Sequence, residues 1–193
     1  MKTPLRFQIT EFDCGTIALL NAVSYLFDRE EIPAELVRAI NLYTLDCYDE
    51  KGNLGAGGTS RHAIDLLTHW ITDFAESKNF NIECERLEGE LVTLDVLKRC
   101  LDQNGVVFIR CWQLCEHYVI ITKIDDNDAY IFDSYYLDEN YYDKDNEVKI
   151  IFDQPFLYNR VVKLNRLLSE SKKDFSLGDI AKRECVLIVR SSN

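Results

Sequence analysis

The chain has 193 residues, 47% of them hydrophobic, and a formal net charge of −11. That length fits one domain with its own core, residues 1–193, and the acidic balance argues against nucleic acid and anionic membranes, both of which need a basic face. No apolar run approaches a bilayer span and MKTPLRFQITEFD lacks a signal-peptide core, so membrane insertion is not expected and the expected place is the cytoplasm, where the seven cysteines stay thiols.

Residues 15–27, GTIALLNAVSYLF, are apolar nearly all round and predict a helix buried in a core, with Cys14 at its N-terminal end. A second helix is expected at 33–44, with Pro33 in its first turn and Leu36, Val37, Ile40 and Tyr43 on one face. LGAGGTS, 54–60, reads as a loop and helix cap, since no Gly-Lys-Ser/Thr follows to make a phosphate cradle. Thr59 or Ser60 caps a helix whose face is Ile64, Leu67, Ile71 and Phe74. His62 and His69 on that helix lack a third ligand and read as surface or packing histidines. Thr93 caps a short helix to Gln103, closed by Asn104-Gly105.

Beyond it the texture turns β-branched and aromatic, and strands are predicted at 106–112, 118–124, 129–135, 148–152 and 185–190. The acidic stretches at 125–128 and 138–147 read as solvated loops, with an acidic rim for a basic peptide as the sharper alternative. They fail the calcium-loop spacing. The fold class is α+β, helices first and then a mostly antiparallel sheet.

The chemistry lies in four positions. A hairpin centred near residue 125 sets His117 opposite Asp133, Val119 opposite Ile131 and Ile121 opposite Ala129. Opposed side chains on one face are close enough for a carboxylate to hold an imidazole N–H. A one-residue slip would send the two to opposite faces. Cys14 at a helix N-terminus is favoured as a thiolate, more so beside an imidazolium. Cys14, His117 and Asp133 thus supply nucleophile, acid/base and orienter, and the Gln8 amide can join the Cys14 backbone N–H as an oxyanion donor. Each residue alone has a plainer role: a small buried hydrophobe, a structural histidine, a strand-ending aspartate. A metal site at Cys111, Cys115 and His117 was weighed against this. On a continuous strand the two cysteines stand about 13 Å apart, too far to share a zinc without a bend. No metal or cofactor is expected.

Gln8 followed by Asp13-Cys14-Gly15 resembles the Q-x-x-x-x-D-C-G motif of the bacteriocin-processing peptidases. These are bacterial papain-like cysteine peptidases that cut leader peptides after a double glycine. GGTSRHAIDLL, His117-Tyr118-Val119, AYIFDSYY and FSLGDIAKRECVLIVR resemble further parts of that family, the last its closing helix and final strand. The resemblance implies a papain-like fold with Cys14 as nucleophile, His117 as base then acid, Asp133 as orienter and Gln8 in the oxyanion hole. Asp13 is expected to make a structural hydrogen bond near the helix start. Ser134 stands where the family usually has proline, and no transporter follows in the chain, so export would fall to a separate transporter or peptide-maturation partner. The segment 135–160 has no counterpart and is expected to be an inserted hairpin or lid. The expected activity is cleavage of a peptide or protein amide through a thioester. A catalytically silent peptide-binding module and an acyltransferase using the same triad are the alternatives.

Overall fold

The structure is a computed structural model, described over residues 1–191. Helix α1 spans Cys14–Leu26 and buries side chains around its whole circumference, among them Leu19, Ala22 and Val23. An all-round apolar helix finds its place only inside a core. Helix α2, Ala34–Tyr43, follows Pro33 and buries Leu36, Ala39 and Ile40. Helix α3, Arg61–Lys78, is capped by the Ser60 hydroxyl, which accepts from the Ala63 N–H at 3.0 Å. It ends at Asn79 in a left-handed conformation. Its buried stripe is the predicted one, Ile64, Leu67, Ile71 and Phe74.

Strand β1 follows at Glu83–Glu88, then helix α4 at Leu94–Asp102, capped by Thr93. Strands β2 (Val106–Gln113), β3 (Cys115–Ile124), β4 (Asp128–Phe132), β5 (Val148–Ile150) and β6 (Arg160–Lys163) come next. A short helix α5, Leu164–Leu167, and strand β7, Glu184–Val189, complete the described elements. The strands form one seven-stranded sheet in the order β1-β7-β2-β3-β4-β6-β5, antiparallel throughout. The class is therefore α+β, helices followed by an antiparallel sheet. No described helix is long and apolar enough to cross a membrane.

The sheet has a core on each face. Val106, Phe108, Tyr118, Ile120, Phe132, Val186 and Ile188 pack with α1, α2 and α3. Their alternating neighbours Val107, Ile109, Val119, Ile121, Ile131 and Leu187 pack with α4, α5 and Phe175. This is the period of two expected of strands covered on both sides. One carboxylate ties the layers together. Glu184 of β7, 2% exposed, accepts from the Tyr118 hydroxyl at 2.7 Å and faces Arg61 at 2.9 Å, Arg86 at 3.0 Å and Arg110 at 3.3 Å.

Several expectations need correction. Strand β1, ECERLE, has no apolar run, because it is an edge strand with an alternating half-exposed pattern. Strand β6 and helix α5 were also missed, each only four residues long. The expected closing helix in FSLGDIAKR is a single 3-10 turn at Ile180–Lys182. Strand β4 stops at Phe132, so Asp133 follows the strand instead of lying within it. The segment 135–160 consists of turns around β5, which pairs antiparallel with β6 at the far edge of the sheet.

Candidate active site

Cys14 is the first residue of α1 and half-buried. The glycine after it has a steric reason. A Cβ on Gly15 would stand 2.9 Å from the Thr59 Cβ and 3.3 Å from the Tyr118 ring. Gly15→Ala is expected to destabilise by about 1–2 kcal/mol, overpacking outweighing alanine's better helix propensity. Urea unfolding checks this, and an unchanged midpoint would mean that Thr59 yields freely.

His117 and Asp133 meet through an irregular hairpin. At its base Ile124 pairs with Ala129 and Lys123 with Tyr130. The register then shifts at a bulge around Thr122, and Ile121 pairs with Ile131 and Ile120 with Phe132. The expected pairing, with Ile121 opposite Ala129, is thus off by two residues. The cause is the turn: the Asp125 carboxylate accepts from the N–H groups of Asn127 and Asp128, which moves the reversal past residue 125. Two is an even number, so the faces survive. Asp133 lies diagonal to His117, and the contact still closes, Nε2 to Oδ1 at 2.8 Å.

Asp133 is fully buried and fully engaged. Its Oδ1 also accepts from the Tyr135 N–H at 2.8 Å, and its Oδ2 accepts from Gln113 Nε2 at 3.0 Å and lies 3.5 Å from Arg160 Nη2. Asn159 grips its backbone at both ends, accepting from its N–H at 2.8 Å and donating to its carbonyl at 2.7 Å. Burial alone pushes this carboxyl up. The charge and hydrogen bond of His117, the Arg160 charge and the Tyr135 N–H outweigh it, and the group titrates below its ordinary value. Burial likewise opposes the imidazolium, but Asp133 and Cys14 raise His117 to about 10.

With Nε2 on Asp133, Nδ1 is the ring nitrogen left to act on the Cys14 thiol. Burial raises the thiol; His117 and the backbone N–H groups of Tyr118 and Gly15 lower it further than burial lifts it. The other six cysteines all go the other way. Cys84 and Cys185 are pushed up to about 12 and Cys100 to about 11, and Cys47, Cys111 and Cys115 are raised as well, in each case with burial as the largest cause.

Gln8 lies beside this group. Its N–H donates to the Ser134 carbonyl at 2.9 Å, and its Oε1 accepts from the Ser134 hydroxyl at 3.0 Å. One amide N–H of its side chain donates to the Thr10 carbonyl at 2.7 Å, and Nε2 carries a second. The Asp13 carboxylate turns back from the helix to accept from the Ile9 N–H, the Thr10 N–H and the Thr10 hydroxyl. It thereby shapes the loop that presents Gln8. Tyr135 covers the histidine, its ring edge-on to His117 with centroids 6.4 Å apart and its hydroxyl donating to Glu11 at 3.0 Å.

Gln113, Asn159, Arg160 and Tyr135 were not anticipated. The one available signal was Arg160 heading the β-branched pair of RVVK, since an arginine in a covered strand needs a buried acid. The stretch weighed as a metal site is a hairpin tip: the chain reverses at Leu114, φ 61°, and pairs Cys111 with His117. Among the described residues no group of three or more His, Cys, Asp or Glu side chains is placed to hold a metal ion. His62 and His69 are both exposed on α3, remote in sequence from the group. A cavity of about 980 Å³ between α3, β1 and α4 is lined by none of Gln8, Cys14, His117 or Asp133. No family model matches the chain, and no curated protein matches it significantly.

Proposed function

We propose that the protein is a cysteine peptidase, on a papain-like fold resembling that of the bacteriocin-processing peptidases, which cleaves a peptide amide through a thioester. The observation that carries this is the relay Cys14–His117–Asp133, in which Cys14 is the one thiol held below its ordinary value among six held above it. In this reading the Cys14 thiolate attacks the scissile carbonyl carbon, and the carbonyl π electrons move to oxygen. The oxyanion is met by the Cys14 backbone N–H, which has no helical partner at this position, and by the second Nε2 hydrogen of Gln8. His117 Nδ1 gives its proton to the departing amine as the C–N bond breaks. It then takes a proton from water, which attacks the thioester carbonyl and releases the acid and the thiolate. Asp133 stays ionised throughout and holds the ring in this orientation.

The surroundings suit a peptide. Ile9 and Phe12 precede Cys14 and Leu114 precedes His117, and all three leave apolar side chains in solvent. A reducing, cytoplasmic setting keeps such a thiolate free.

The test is digestion of a degenerate peptide library by the wild-type chain and by Cys14→Ala, read by mass spectrometry. Cleavage products are expected from the wild type alone, with the far-UV circular dichroism of the variant unchanged. Cleavage that persists in the folded Cys14→Ala chain removes the reading.

A further inference from the structure

The chain from Tyr136 to Phe152 builds a groove of about 650 Å³ lined by Tyr136, Asp138, Glu139, Asn140, Tyr141 and Phe152. Three aromatic rings in it stand in water: Tyr136 is 58% exposed, Tyr141 52% and Phe152 44%. They are held there. Tyr136 is set between Phe7 and Phe152, with centroids 5.3 Å and 6.0 Å away, and Tyr141 rests edge-on against Tyr142 at 4.9 Å. Backbone hydrogen bonds from Tyr141 to Asp138, from Asp143 to Asn140 and from Asp145 to Tyr142 brace the turns between them.

The two carboxylates of the groove differ from Asp145 and Glu147 of the same acidic stretch. Asp145 and Glu147 are both engaged by Arg166, at 2.8 Å each. Among the described residues neither Asp138 nor Glu139 has an ion-pair or side-chain hydrogen-bond partner. Exposed ring faces beside uncompensated carboxylates make an environment for an organic cation, attracted by the ring quadrupoles and by the charge. A chain of net charge −11 draws such a group in from a distance.

The groove borders the candidate site. Tyr136 follows Asp133 by three residues, a reach of about 10 Å at most, and its neighbour Phe7 adjoins Gln8. A peptide bound at Cys14 in extended form, rising about 3.3 Å per residue, can run toward the groove. We infer that this groove binds an arginine or lysine side chain of the peptide substrate, outside the bond cut. The word substrate rests on the peptidase reading; the cation binding itself does not.

The experiment separates the two. The full wild-type chain is titrated with Nα-acetylarginine amide and with its neutral analogue Nα-acetylnorleucine amide, and the tyrosine ring resonances are followed by NMR. Arginine amide is expected to shift Tyr136 and Tyr141 and to bind about tenfold more tightly than norleucine amide. Asp138→Asn with Glu139→Gln is expected to weaken arginine amide about tenfold and to leave norleucine amide unaffected. Equal binding of the two probes makes the groove an apolar subsite and overturns the inference, as does binding of neither. In the peptide library, a basic residue at a fixed position on one side of the cut is the expected enrichment. If arginine amide binds and nothing is cut, the peptidase reading fails and the cation site stands. If peptides are cut with no basic preference and arginine amide does not bind, the groove inference fails and the peptidase reading stands.

Discussion

Near pH 6, iodoacetamide will alkylate Cys14 roughly a hundredfold faster in the wild-type chain than in His117→Ala. The sign follows from the competing causes at the thiol. Burial lifts its pKa and His117 with two backbone N–H groups brings it below the ordinary 9.0. Without the imidazolium, burial prevails and the thiol returns to that value or above. A thiol three units above the pH is only about one part in a thousand thiolate, and the lower basicity of the paired thiolate gives back about a factor of ten. His117 is held up to about 10. The pair therefore keeps its charge to lower pH than an ordinary thiol does, up to the titration of His117, and the wild-type rate should depend on pH less steeply than the rates of the other thiols. The remaining six cysteines provide the reference within the same chain: all are raised, so their rates should climb with pH. Site-resolved mass spectrometry reads all seven at once. A Cys14 rate that climbs in parallel with that of exposed Cys115 would mean that no activated nucleophile exists here.

The second large effect is structural. Glu184→Gln should cost roughly 3–5 kcal/mol, the scale for removing one partner of a buried ionic group, and lower the melting temperature by about 6–20 °C. The substitution leaves Arg86 and Arg110, both largely buried, facing a neutral amide, and takes from Arg61 one of its two carboxylates, the other being Glu88. Glu31 is the control. It pairs with Arg190 at 2.6 Å, shorter than any of these, but both side chains are more than a third exposed. Glu31→Gln should therefore cost less than about 1 kcal/mol. Thermal unfolding of both variants checks the ranking. Equal losses would show that burial does not govern the Glu184 cluster.

What could be read from the sequence follows from period and composition. Helix α1 was legible because GTIALLNAVSYLF tolerates no solvent face, and α3 because its stripe follows a capping serine. Strands β2, β3 and β4 carry enough β-branched and aromatic residues to stand out. Strand β1 was not legible, since an edge strand flanked by solvent can be written almost entirely in charged residues. The contact of His117 with Asp133 was anticipated, but the pairing assumed for it was wrong by two residues, because carboxylate-to-backbone bonds inside DDND leave no signature in a list of apolar positions. Gln113, Asn159 and Arg160 converge on Asp133 from the β2–β3 tip and from the start of β6. Such convergence depends on which strands are neighbours, and no local pattern encodes that.

The bulge at Thr122 makes the hairpin count modulo two. Below it, the pairing of Ile124 with Ala129 is of odd offset and would leave His117 and Asp133 on opposite faces. The extra residue restores even parity. Length changes between β3 and β4 therefore fall into two classes. Gain or loss of a pair of residues in the turn slides the strands and keeps histidine and aspartate on one side. Gain or loss of a single residue inverts one of them, unless a second irregularity cancels the first. Among chains that share this hairpin and its chemistry, loop length should vary in steps of two, or else the bulge should be lost whenever the step is one.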